Sequence, residues 1–139
     1  MPTWEEARAY LGGRYRLVWT EADWVGMEWP STSDGDAAPL RLKLERVSVF
    51  AAPWLLLRCA LCDEGAVDPR SALRYNARLA IGSVALEDGR CYLRAALPLH
   101  ELTWPHLDRT IAFLAEEAAH LRQREDPHPS TPVFGAWAD

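Results

Sequence analysis

No stretch of this sequence approaches the roughly 20 consecutive apolar residues that a bilayer-spanning helix needs, so no membrane anchor is expected. The opening Met1-Pro2-Thr3-Trp4-Glu5-Glu6 has neither the basic nor the apolar region of a secretory signal, and the expected location is the cytoplasm. Cysteine is scarce, and three is an odd number, which argues for reduced thiols rather than a disulfide framework. Eight glycines and ten prolines are too few for a fibrous or low-complexity chain. Lysine occurs once, at Lys43, beside fourteen arginines, a bias read as genomic rather than functional. Signatures of common chemistry are missing too. There is no Gly-x-Ser-x-Gly, no Walker loop and no Gly-x-Gly-x-x-Gly, and Asp34-Gly35-Asp36 lacks the spaced ligands and closing Glu of an EF-hand loop.

What is present describes one ordinary globular domain. A chain of 139 residues with 49% hydrophobic and 25% charged residues can bury roughly 68% of its unfolded surface. Twenty acidic against fifteen basic residues leave a net charge of -5, which disfavours direct binding to a nucleic acid polyanion.

Thr3 and Glu6 form a capping box for a first helix, with Trp4, Ala7 and Leu11 on one face and Gly12-Gly13 as its expected end. Tyr15 to Trp29 reads as one or two strands, and Pro30 to Asp36 as a loop. Leu40, Leu42 and Leu44 alternate with Arg41, Lys43 and Glu45, a half-buried strand with a charged outer face. The shift to Val47 and Val49 predicts a bulge near Arg46. Trp54 to Leu61 reads as a central strand covered on both faces and paired antiparallel with its predecessor. Asp68-Pro69 opens a short helix to about Asn76. Asp88-Gly89 makes a type I′ hairpin between Ile81–Leu86 and Cys91–Leu97. Thr103 caps a long helix whose stripe is Trp104, Leu107, Ile111, Leu114, Ala118 and Leu121. The expected fold is α+β in the order α-β-β-β-α-β-β-α, an antiparallel sheet of about five strands with helices packed on it. Residues 1–124 form the domain and 125–139 a Pro-rich tail.

Three groups of residues invite a chemical reading. Cys59-Ala60-Leu61-Cys62, with Cys91, has metal or redox spacing, but both thiols follow a strand and i, i+3 positions face opposite sides, so core filling is expected. His100, His106, His120 and His128 have no nucleophile nearby, and no catalytic residue is assigned. Trp19, Trp24 and Trp29 with Arg14, Arg16 and Arg41 form the third group. They read as hot-spot anchors for a protein segment or, as the alternative, a stacking platform for single-stranded nucleic acid.

Arg74-Tyr75-Asn76-Ala77-Arg78-Leu79, Leu86-Glu87-Asp88-Gly89-Arg90, Tyr92-Leu93-Arg94, Leu97-Pro98-Leu99 and the long final helix resemble the C-terminal half of YbjN-like proteins and the related type III secretion chaperones. The resemblance implies a small acidic homodimer that binds a client protein, in some members in a stress response, without enzyme activity, cofactor, metal or small-molecule substrate. The expected protein-binding residues are Trp4, Trp19, Trp24 and Trp29.

Overall fold

Thr3 opens the first helix, its hydroxyl oxygen accepting a hydrogen bond from the Glu6 N–H at 3.2 Å. In the computed structural model, which describes residues 2–30 and 39–123, helix α1 runs Trp4–Arg14. Gly12 and Gly13 do not end it, because the chain stays helical until Tyr15 turns extended and its N–H closes onto Leu11 O. Most of the expected loop and the whole of the tail 125–139 lie outside the described residues.

Six strands follow: β1 (Arg16–Thr20), β2 (Trp24–Trp29), β3 (Leu40–Val49), β4 (Ala52–Asp63), β5 (Ser83–Glu87) and β6 (Arg90–Pro98). They form one antiparallel sheet in the order β1-β2-β3-β4-β6-β5. The architecture is α+β as expected, with one strand more than five. The segment from Tyr15 to Trp29 divides at a turn where Glu21 N–H donates to Trp24 O at 2.8 Å.

Helix α2 (Pro69–Asn76) starts as the sequence predicts, with the Asp68 carboxylate accepting from the Ser71 N–H and hydroxyl at 3.3 and 2.7 Å. It ends at Asn76, whose side-chain amide grips both backbone groups of Val84 on the edge strand β5. Oδ1 accepts from Val84 N–H at 2.6 Å and Nδ2 donates to Val84 O at 3.2 Å. Helix α3 (Trp104–Gln123) buries Leu107, Ile111, Leu114, Ala118 and Leu121, and Trp104 at the head of the stripe stacks on Tyr10 with ring centroids 4.5 Å apart. Trp4, Ala7 and Leu11 of α1 join the same core, opposite Leu42, Leu44, Leu55, Leu57 and Leu93. Each such buried Leu is worth roughly 1.5–3 kcal/mol of transfer free energy.

The bulge expected near Arg46 does not exist: the β2–β3 and β3–β4 registers run without a shift. Val47 and Val49 share a face with Lys43 and Glu45, so the apolar parity changes because the strand changes which face is apolar, not because it slips. The irregularities lie instead at Val18 in β1 and Leu61 in β4. Nor is β4 covered on both faces. Leu55, Leu57, Cys59 and Leu61 are buried under helices, while Trp54, Leu56, Arg58 and Ala60 alternate with them, half-buried, on a face that no described helix covers.

Two hairpin tips adopt positive φ. Asp88 and Gly89 (φ 50° and 77°) form the expected turn. The β3–β4 tip does the same with Phe50 and Ala51 (φ 49° and 62°), at a steric cost of roughly 1–2 kcal/mol per residue. The Phe50 side chain is fully exposed there.

Candidate functional site

Both long helices lie on one face of the sheet, and the residues that alternate away from the core make the other face the candidate site. The bulge at Val18 decides what its β1–β2 corner presents. Leu17 pairs with Met27 and packs toward the core, whereas Trp19 pairs with Gly26 and points to the open face. Gly26 lies directly beside the neighbouring indoles. A Cβ there would lie 3.5 Å from Trp19 and 3.6 Å from the Trp24 ring. The two indoles stack at 6.1 Å with an interplanar angle of 10°, and Trp19, 59% exposed, donates its indole N–H to the Glu21 carboxylate at 2.8 Å.

Beside them a groove of about 360 Å³ runs across β2, β3, β4 and β6, between the indoles and Tyr92. Its charged lining is cationic: Arg41, Lys43 and Arg58. The Lys43 ammonium sits 4.7 Å over the Trp24 ring and the Arg58 guanidinium 5.6 Å over Tyr92. Arg58 is also paired with Glu45 at 3.2 Å and Glu87 at 3.0 Å. The arrangement suits a chain of mixed apolar and charged side chains laid over the sheet.

Of the four expected tryptophans, the structure brings Trp19 and Trp24 together and separates the others. Trp4 is 3% exposed and its indole N–H donates to Ala22 O at 2.8 Å, so it serves the core. Trp29 shares parity with Val25 and Met27 and packs on the helix side against Tyr15. Lys43, Arg58 and Tyr92 were not singled out from the sequence, although the alternation of β3 does place Lys43 on a charged outer face.

The cysteines lie on the core side. The bulge at Leu61 turns Cys62 to face Cys91, its partner across β4–β6, and so overrides the opposite facing expected for an i, i+3 pair. None of the three thiols is in a disulfide, and the hydrogen bond with Cys62, together with burial, pushes the Cys91 thiol up, away from the reactive thiolate. Among the described residues no three His, Cys, Asp or Glu side chains group as metal ligands. His106 is exposed near the start of α3, where its carbonyl accepts from the Thr110 hydroxyl at 2.9 Å, and His128 lies outside the described residues.

A polar knot ties the helix layer. The Asp108 carboxylate accepts from the Tyr10 and Tyr15 hydroxyls and pairs with Arg14 Nε at 3.1 Å. Burial and the bond to Asp108 push the Tyr15 phenol up from 10.0 to about 12. The folded protein therefore keeps this proton after the unfolded chain has released it, and stability should fall as pH rises from about 10 to about 12. Denaturant midpoints measured across that window should decline, and Tyr15→Phe should flatten the decline. An unchanged slope in Tyr15→Phe would remove Tyr15 as its source.

No family model and no curated protein matches the chain. Solved structures do. A chain in the crystal structure of the ExsC–ExsE complex superposes with a TM-score of 0.62 at 12% identity, covering 92% of this chain and 99% of that one. A chain in the HopA1–SchA chaperone–effector complex gives 0.55 at 19% identity, covering 84% and 87%. At such identities the likeness concerns the fold, and the fold is the secretion-chaperone-like α+β arrangement that the sequence resembles.

Proposed function

We propose that this protein is a non-enzymatic, chaperone-like binding module that holds a segment of a client protein on the open face of its sheet, with Trp19 and Trp24 as anchors. The observation that carries the reading is the stacked indole pair, Trp19 exposed and Trp24 half-buried, beside a groove on a sheet face that no described helix covers, in a fold shared with a chaperone–effector complex. Aromatic anchors of this kind dominate protein interfaces, and an extended client can add main-chain pairing at β1, an edge strand among the described residues. The module acts as a homodimer in the cytoplasm. Leu73 on α2 and Leu86 on the adjoining edge strand β5, 70% and 38% exposed, offer an apolar surface for the second copy. The YbjN-like resemblance adds a stress-response setting. No described helix is long and apolar enough to cross a membrane.

The test compares wild type with Trp19→Ala and Trp24→Ala as baits in nuclease-treated cytoplasmic lysate, after light scattering has fixed the oligomeric state and circular dichroism the fold. Loss of an anchor should weaken client retention by about 2 kcal/mol, roughly 30-fold. Equal retention by well-folded variants would refute the anchor assignment. Partners retained only without nuclease would shift the reading to single-stranded nucleic acid.

A further inference from the structure

The strand registers place three cations in one row. Across the open face, Trp19 pairs with Gly26, Gly26 with Lys43, Lys43 with Arg58, Arg58 with Arg94 and Arg94 with Ser83. Lys43, Arg58 and Arg94 thus stand directly opposite one another on adjacent strands about 4.8 Å apart. Like charges in such positions destabilise a sheet. Glu45 and Glu87 relieve the row from the middle to the Arg94 end: both pair with Arg58, and Glu87 also reaches Arg94 at 3.8 Å, which leaves the Lys43 end without a carboxylate partner among the described residues. Lys43 and, in the next row, Arg41 make no ion pair among the described residues, although Glu28 is opposite Arg41 in register. The only lysine of an acidic protein therefore sits in a cationic band beside the stacked Trp19–Trp24 pair.

We infer that this band recognises an acidic segment of the client, an extended stretch whose carboxylates meet Lys43, Arg41 and Arg94 while a neighbouring apolar side chain covers the Trp19–Trp24 pair. The inference rests on the protein-binding reading above and adds the chemical class of the segment. Charge complementarity selects the occupant. Arg58 already shows how the face holds carboxylates, through two of them at 3.0 and 3.2 Å. A nucleic acid fits less well, because the chain as a whole carries a net charge of -5 and repels a polyanion.

Fluorescence anisotropy with labelled peptides of roughly ten residues, one alternating Glu with Phe and one Gln with Phe, tests this on the full chain. The Glu peptide should bind, and the Gln peptide should bind at least about tenfold more weakly. The Lys43→Gln/Arg94→Gln variant should lose a similar factor for the Glu peptide alone, and raising salt from about 0.05 to 0.3 M should weaken that complex. The variant should melt close to the wild-type temperature, since relief of the repulsion along the row offsets the loss of the Glu87–Arg94 pair and of the Lys43–Trp24 contact. Glu and Gln peptides bound equally, with Trp24→Ala weakening both, would overturn the acidic class and leave the protein-binding reading standing. Binding of neither peptide would overturn the inference, as would a variant that fails to fold, which would make the cations structural. An oligothymidylate that displaces the Glu peptide and depends on the same cations would overturn both readings.

Discussion

Gly82→Ala is expected to lower stability by about 2–4 kcal/mol, one of the largest effects of any single methyl group in this chain. Gly82 precedes β5 with φ +78°, and a Cβ there would stand 2.6 Å from the Arg94 carbonyl oxygen and 3.1 Å from Leu114 Cδ2. The leucine end can rotate away. The carbonyl belongs to β6 and cannot, so either the backbone of Gly82 moves or β5 lifts from β6, its one strand neighbour among the described residues. Urea denaturation measures the loss, and adding Leu114→Ala separates the two contacts. If the backbone clash dominates, truncating Leu114 does not restore the stability lost at Gly82. A loss below about 1 kcal/mol would mean that the chain before β5 adapts freely.

Leu57→Ala should cost about 3–4 kcal/mol, whereas Leu56→Ala, one residue away, should cost no more than about 1.5 kcal/mol. Leu57 is fully buried between Leu44 and Ala95 in the register, beneath the helix layer. Adjacent strands hold the walls of the resulting cavity apart, and Ala95 is too small to fill it. Leu56 alternates to the open face and is half-buried there, so its removal exposes surface rather than creating a void. Equal costs in thermal denaturation would contradict a sheet with one bare face.

Local chemistry made much of this arrangement readable. Asp68-Pro69, Asp88-Gly89 and the stripe from Trp104 to Leu121 act through neighbours a few residues away, and each lies where that chemistry places it. Non-local effects were not readable. The β3–β4 turn is built on Phe50 and Ala51, residues without a turn signature, and two strands long enough to zip together hold it in spite of the steric cost. The bulge at Val18 separates Leu17 from Trp19 by face, and nothing in Arg16-Leu17-Val18-Trp19-Thr20 announces it. Half of the candidate site was visible as exposed-parity tryptophans. The cationic row was not, because Lys43, Arg58 and Arg94 become neighbours only once three separate strands take their register.

The knot around Asp108 joins residues 98 and 93 positions apart, from the first helix and the strand entry that follows it to the last helix. Closing so long a loop carries a high entropic cost unless the intervening sheet has already formed. The contact is therefore expected to form at the end of folding rather than in its nucleus, as a latch on the finished molecule. Loosening it should leave the refolding rate almost untouched and speed unfolding. Under the proposed binding role, that latch would govern how long the open sheet face stays assembled rather than how fast it is built.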